Sequence, residues 1–564
     1  MDLQQEQDNI NLPDSLRAQP LDINYITGSE VAFDFQSFAD MLRYNTEAQI
    51  RCTINGREQK VIAYLHIIPR PENHISNYTT TFNYTADNTN SHQTWEYITS
   101  RLEDCKNHKT CRRRLDSSPP SRLIEIRKNK ENEEIRDNNL RFRLITSFEN
   151  DAQIEYVTLS HRWFRETKKH RKHKETKKPR KLKKLRAARK ARQAQKSNGN
   201  LKPTTKNERE FKAKIPQTYM PQKFKDAAMA TLKLGKQYLW IDSLCILQDS
   251  TEDWDRESGV MDSIYWNGYC NLAATSATKR SEGLFSKRCL SQLSPLWTQL
   301  EGMGPAIVFS KSAQNNFYEL DYEMLNRRGW VCQERLLSTR NISFGKELVF
   351  FECAEEFSNE LVNSDDYYFT IWGHGFRRRD TDLPLWSLAS LRKIQPTSLD
   401  DVHNFWVTIL SFYTRTHTTK SSDRLVALSG IAAFCHSVFG TEYLAGLWKS
   451  TITRGLLWYC FGAGFKCSLD CRAPSWSWAS VGTCVEYKQY ANHTGLISGV
   501  ESYEELVAES NPFGAVQNAR IELTGSLFPV FHVECSSCKP LRAEERLRLL
   551  NQASGSSASE WEGP

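Results

Sequence analysis

The feature that most restricts this chain is a change of hydrophobic period that begins at Tyr156. Short apolar runs, YVTLS (156–160) and YLWID (238–242), with a weaker third in CNLAATSA (270–277), are separated by segments of helical period. Phe224, Ala227, Ala228, Thr231 and Leu232 fall at i, i+3, i+4, i+7 and i+8, and Gly235 sits where a helix C-cap belongs. Trp254, Met261, Ile264 and Tyr265 mark a second helix, with Asp253 and Asp255 at its positive end. NRRGWVCQERLLS (326–338) predicts a third helix, and RNISF and ELVFFEC predict further strands. Strands alternating with helices build a parallel sheet covered on its faces, an α/β architecture. Tyr156–Ser160 and Tyr238–Asp242 should therefore be parallel neighbours, with the Phe224–Leu234 helix packed on them.

That pattern places the central domain at 151–355. Residues 1–150 read as an N-terminal α+β region. There QIRCTINGREQKVIAYLHII puts Asn55-Gly56 between two β-rich runs, a hairpin signal. Farther on, Trp95, Ile98 and Leu102 share a helical face, and SRLIEI reads as a strand. Residues 356–552 form a mixed, helix-rich C-terminal region: Val402, Trp406, Ile409, Leu410 and Tyr413 line one helical face, and DRLVALSGIAAFCHSVFG continues to Gly440. The alternation in APSWSWASVG (473–482) suits a strand. Residues 553–564 are a low-complexity, flexible tail.

At 564 residues the chain is too long for one ordinary core. Its net charge of +8 misleads, because Lys168–Lys196 holds 16 Lys and Arg against one Glu, a local +15, and 8 − 15 leaves −7 for the rest. The basic character thus belongs to an insertion at 165–214, expected to be disordered; over 168 to about 205 the expectation is disorder or a solitary helix outside the core, because the apolar content is too small to offset ordering entropy. It carries no aromatic residue in its basic core, which argues against stacking on single strands. Nucleic acid or an anionic surface would be contacted only through 168–196, and nuclear import would use the same block. Met1–Pro20 has no apolar core, so no secretory leader is expected, and the fifteen scattered cysteines should be reduced thiols in the cytoplasm. No apolar run reaches the roughly 18 residues of a membrane span.

Four blocks, YVTLSHRW, YLWIDSLCILQD, MDSIYWNG with AATSATKRSEGLF, and RRGWVCQERLLSTRNISF, occur in the order and spacing of the fungal heterokaryon-incompatibility (HET) domain family, which this chain resembles. DRLVALSGIA, YLAGLW and APSWSWASVG resemble the region that often follows that domain. Where the family usually reads Ser-Tyr-Arg-Trp-Gly, this chain has Ser160-His161-Arg162-Trp163-Phe164. The resemblance implies non-self recognition between fused fungal cells, ending in growth arrest or programmed cell death. A second resemblance is to the TIR fold, a flavodoxin-like parallel sheet with flanking helices. YVTLSHRW is similar to its first strand, YLWID to its second, and Trp330-Val331-Cys332-Gln333-Glu334 to its Trp-Cys-x-x-Glu helix. Some TIR domains cleave nicotinamide from NAD with the glutamate of that helix, and by position Glu334 is the counterpart.

On this reading NAD is a substrate, and no cofactor is required. A carboxylate near the ribose would stabilise an oxocarbenium-like centre as the N-glycosidic bond breaks. Ser160, Arg162, Trp163 and Asp242 would sit at strand C-termini, where open α/β sheets bind ligands, with Arg162 on a phosphate and Trp163 or Trp330 stacked on a base. Glu334 is expected to face a cleft with Ser160, Arg162 and Asp242. The structural alternatives are an ion-paired Glu334 beside Arg327, Arg328 and Arg335, a capping Asp242, and tryptophans that belong to the core. Cys245 and Cys332, inside apolar patterns, read as inert buried thiols. Cys105-x2-His108-x2-Cys111 has ligand types at a plausible spacing without a fourth ligand nearby, and Cys535-x2-Cys538 is half a zinc knuckle, so neither is taken as a metal site. The effector is expected to act by self-association, and the alternative function is a non-enzymatic signalling module whose α/β domain works only through protein–protein contacts with its partners.

Overall fold

The computed structural model describes residues 46–54, 57–69, 86–111, 119–130, 134–136, 139–146, 154–163, 201–288, 296–300, 304–310, 320, 323–360, 395–460, 473–487, 497–508 and 511–525. In chain order the strands are β1 (Thr46–Ile54), β2 (Arg57–Pro69), β3 (Leu123–Lys128), β4 (Leu140–Ile145), β5 (Tyr156–Ser160), β6 (Tyr238–Trp240), β7 (Asn271–Ala273), β8 (Leu296–Leu300), β9 (Gly304–Ser310), β10 (Arg340–Phe344), β11 (Val349–Cys353) and β12 (Phe357–Asn359), with three further two-stranded pairs toward the C-terminus.

Eight of these strands form one sheet in the order β12-β11-β10-β7-β5-β6-β3-β4. Its centre meets the expectation from the period change. β5 pairs in parallel with β6, Tyr156 opposite Tyr238, and with β7, Thr158 opposite Asn271. β10 pairs in parallel with β7. Numbered among themselves, the four parallel strands run 2-1-3-4. All five residues of β5 are buried, as in a strand covered on both faces.

The edges correct the expectation of a wholly parallel sheet. β3 runs antiparallel to β6 and β4, and β11 runs antiparallel to both β10 and β12. The cause is connection length: Gly345 to Leu348 alone link β10 to β11, whereas a parallel crossover needs about a dozen residues. β3 and β4 also mean that residues on both sides of position 150 share this sheet. Arg122, at the start of β3, fixes that edge through hydrogen bonds of 3.0 Å to each carboxylate oxygen of Asp253.

The Gln222–Lys233 helix buries Phe224, Ala227, Ala228, Ala230 and Thr231 and ends before Gly235, whose φ of +71° lets the chain turn into β6. The single helix expected around Trp254–Tyr265 is two, Thr251–Gly259 and Met261–Asn267, broken at the exposed Val260. β1 and β2 form the hairpin expected at Asn55-Gly56, and they join β9 and β8 in a four-stranded antiparallel sheet. The insertion falls outside the described residues up to position 200. Its last part does not meet the expectation of disorder, because Glu208–Ala213 is a helix that buries Phe211 and whose Glu208 pairs with Arg122.

In the C-terminal region, Ser398 and Asp401 cap the Leu399–Tyr413 helix reciprocally, and the helix buries the five residues read from its period together with Phe405. APSWSWASVG is not a strand. Trp478–Ser480 is a 3-10 turn, held because the Ser477 hydroxyl accepts from the Ala479 N–H and the Trp478 indole donates to the Gly446 carbonyl at 2.8 Å. Among the described residues no helix is long and apolar enough to cross a membrane.

Candidate functional site

The C-terminal ends of β5 and β6 lie side by side at the centre of the sheet, and both continue into polar residues. After β5 come buried His161 and half-buried Arg162 and Trp163; after β6 come Ile241 and Asp242, the first residue of the Asp242–Cys245 helix. Asp242 joins the two. Its Oδ2 accepts from the Trp163 indole at 2.8 Å, its Oδ1 accepts from the Ser243 N–H at 2.6 Å, and His161 Nδ1 stands 3.5 Å from the same Oδ1.

The Gly329–Leu337 helix leads into β10 and turns Glu334 toward this point. Glu334 is only 4 % exposed, a correction to the open cleft expected from the sequence. Burial pushes its carboxyl up, the charge of Asp242 adds to the effect, and Arg328 with the hydroxyls of Ser160 and Tyr265 opposes it, leaving the pKa at about 7. Burial likewise raises Asp242, against Arg328, Trp163, the Ser243 N–H and Lys223. Two carboxyl groups therefore share one poorly hydrated site, and each makes ionisation of the other harder.

The cations around them are unequal. Arg328 donates to the His161 carbonyl, and Lys223 donates to the Arg162 carbonyl. Burial pushes the Lys223 ammonium down to about 7, with Arg328, Arg162 and Arg280 reinforcing it and Asp242 resisting. His161 is held well below its ordinary value by burial and by Lys223 and Arg328, so its imidazole is neutral, edge-on to the Phe224 ring. Tyr265 is pushed well up by burial and by the charges of Glu334 and Asp242, which keeps its hydroxyl available as a donor.

Beneath the carboxyl groups a polar ladder crosses three strands. The Asn271 amide donates to Ser160 Oγ and to Asn341 Oδ1, both at 3.0 Å, and its oxygen accepts from the Thr158 and Ser160 hydroxyls. Asn341 in turn donates to the Arg335 carbonyl at 2.8 Å, so the ladder fixes the helix bearing Glu334 against β5.

Of the residues singled out in the sequence, Ser160, Trp163, Asp242 and Glu334 thus come together, and Arg162 reaches the cluster through its carbonyl and its charge on Lys223. Trp330 does something else: its ring packs edge-on against Trp254, and its indole donates to Asp423 at 3.4 Å, toward the C-terminal region. Arg335 pairs with Glu352 on β11 at 2.7 Å, which leaves Arg328 as the flanking arginine that acts on Glu334. Sequence reading missed Lys223, Tyr265 and Asn271 as members of the site, and named Arg328 only as an ion-pair partner of Glu334. Asn271 alone carried a signal, a polar residue opening an otherwise apolar strand.

Residues 156–334 match the family model described as Heterokaryon incompatibility protein (HET), a span that runs from the first residue of β5 to Glu334 itself. No curated protein and no solved structure matches the chain.

Proposed function

Because the chain carries a heterokaryon incompatibility (HET) domain at residues 156–334, we propose that it is an effector of fungal non-self recognition that arrests or kills the cell by cleaving nicotinamide from NAD at the Glu334 site. The observation that carries this reading is a buried carboxyl poised at about 7, beside a second carboxyl, at the C-termini of parallel strands. The 2-1-3-4 order of those strands, with Glu334 on the helix before the fourth, supports the TIR-like part of the reading.

In this mechanism the ionised Glu334 faces the ribose and stabilises the oxocarbenium-like centre as the C–N bond breaks. The bonding pair leaves with nicotinamide, which departs neutral. Water then adds to the ribose carbon, and its proton passes to Glu334 or to the Lys223 amine, both of which titrate near neutrality. Arg162 takes a phosphate, and Trp163, anchored by Asp242, takes the base.

Expression of the intact chain in a fungal host should stop growth and deplete NAD, and Glu334→Gln should abolish both while the purified variant remains folded. With the pure protein, kcat/KM for NAD should rise with pH up to about 7 and then level, because the carboxylate is the competent form. NAD depletion by a folded Glu334→Gln chain would end the assignment.

The 4 % exposure of Glu334 favours a second reading, an assembly module in which the cluster only fixes the strand ends and signalling runs through self-association and partner proteins. Killing without NAD loss, undiminished in Glu334→Gln, selects it.

A further inference from the structure

A second group of reactive side chains lies at the other end of the molecule's chemistry, against the β10–β11 edge of the sheet. The His92–Lys106 helix buries Cys105 in its last turn, and the His108 N–H closes back on the Cys105 carbonyl at 3.2 Å. Cys111 follows in the segment just beyond this turn, and Cys353 comes up to it from the last position of β11. The four candidate ligand atoms, three Sγ and one imidazole nitrogen, all lie within 4.8 Å of one another. His108 Nδ1 is 3.6 Å from Cys111 Sγ and 3.4 Å from Cys353 Sγ. With Zn–S near 2.3 Å and Zn–N near 2.0 Å, a tetrahedral site has N···S edges of about 3.5 Å, so this spacing is that of a coordination shell.

Three further observations point the same way. Cys105, Cys111 and Cys353 are all unpaired thiols, at 1 %, 2 % and 0 % exposure, so the cluster is not a disulfide and is closed to solvent on its sulfur side. The Arg340 guanidinium donates to Cys105 Sγ at 3.1 Å, which suits a thiolate. Three thiolates and a neutral imidazole around a divalent ion carry one net negative charge, and Arg340 supplies its counterpart. Finally, Glu355, two residues beyond Cys353, accepts from both the N–H and the hydroxyl of Thr110 and so pins the backbone between His108 and Cys111.

We propose that Cys105, His108, Cys111 and Cys353 bind one Zn²⁺ in a closed tetrahedral site that clamps the His92–Lys106 helix to the edge of the HET-domain sheet. Soft sulfur with one imidazole nitrogen in tetrahedral array selects zinc over the hard cations, and four protein ligands leave no open position, so the ion is structural. Binding releases one proton from each of the three thiols. The fourth ligand was invisible in sequence because it lies 245 residues from His108. The clamp is independent of the Glu334 chemistry.

The full chain, purified without added chelator, should contain about one tightly held zinc by elemental analysis. Grown on cobalt, it should show the d–d and sulfur-to-metal bands of tetrahedral cobalt–thiolate coordination. Cys111→Ser and Cys353→Ser should each lose the metal, whereas Cys535→Ser, in the remote Cys-x2-Cys pair, should keep it. Should the site variants aggregate, the cobalt spectrum of the parent decides alone. A parent that holds no metal and shows no such bands overturns the proposal. So does full metal retention by Cys111→Ser and Cys353→Ser, or a disulfide joining any two of the three thiols in chains alkylated at lysis.

Discussion

At Glu334 the requirements of folding and of chemistry oppose each other. A carboxyl group whose pKa rises from 4.5 to about 7 on burial binds its proton more tightly in the folded chain than in the unfolded one. The sign follows: stability from this group is full below about 4.5, falls as pH rises toward 7, and stays low above it. The difference of 2.5 units corresponds to about 3 kcal/mol at its largest. Glu334→Gln should therefore be more stable than the parent at pH 8 by up to about 3 kcal/mol, with the advantage vanishing near pH 4.5, as read from denaturant midpoints at each pH. An equal difference at both pH values would mean that the carboxyl is not held as described. Lys223, lowered from 10.5 to about 7, works in the other window: its penalty is present below 7 and is relieved as pH rises to 10.5. Sequence made Glu334 and Asp242 legible because each stands in a patterned block. It hid Lys223 among the many lysines next to the insertion, and it hid Tyr265 in the apolar stripe of a helix, since a hydroxyl aimed at a carboxyl leaves no trace in hydrophobic period.

The element that presents Glu334 is held from both sides, and its outer contact is a glycine. A Cβ on Gly430, at the start of the Ser429–Phe439 helix, would stand 2.6 Å from Asp262 Cβ, 2.9 Å from Leu337 Cδ1 and 3.0 Å from Gln333 Cδ. The same glycine donates its N–H to Gln333 Oε1 at 2.8 Å. Three helices thus meet where no side chain fits, and Gly430→Ala must separate them. We expect a loss of about 1–3 kcal/mol in unfolding free energy. NAD cleavage should fall as well, because the helix that shifts is the one bearing Glu334; unchanged stability would refute the close contact. Local periodicity revealed these elements wherever it was set by burial, as in the helices at 222–233 and 399–413. It failed where tertiary hydrogen bonds override it. APSWSWASVG alternates as a strand should, but tertiary hydrogen bonds claim it: the Trp478 indole donates to the Gly446 carbonyl, and the Trp476 carbonyl accepts from the Trp458 indole at 2.9 Å. Membership of SRLIEI in the main sheet, antiparallel to β6, is a long-range pairing that no local pattern encodes.

Across the whole molecule the basic insertion is the feature most separable from the rest. The described chain leaves the sheet at Trp163 and resumes at Leu201, and its two ends meet: the Lys202 ammonium lies 5.5 Å from the centre of the Trp163 ring. A short linker can therefore bridge residues 164–200 without moving either end. The boundary matters, because Thr205 holds Asp249 through its N–H and its hydroxyl, both at 2.9 Å, and the Ile215 N–H donates to the Phe142 carbonyl at 2.8 Å; removal extended to 214 would strip packing from β4. Replacing 168–196 with a few Gly and Ser residues changes the net charge from +8 to −7. The prediction is that this variant keeps the parent's thermal midpoint and its ability to kill, while losing any salt-sensitive retention on heparin or nucleic acid, since that retention scales with the cations removed. A variant that stays folded but no longer kills would assign the insertion to the effector function itself and shift attention from Glu334 to an anionic partner. A variant that melts several degrees lower would show that the basic block stabilises the acidic body of the fold through its charge.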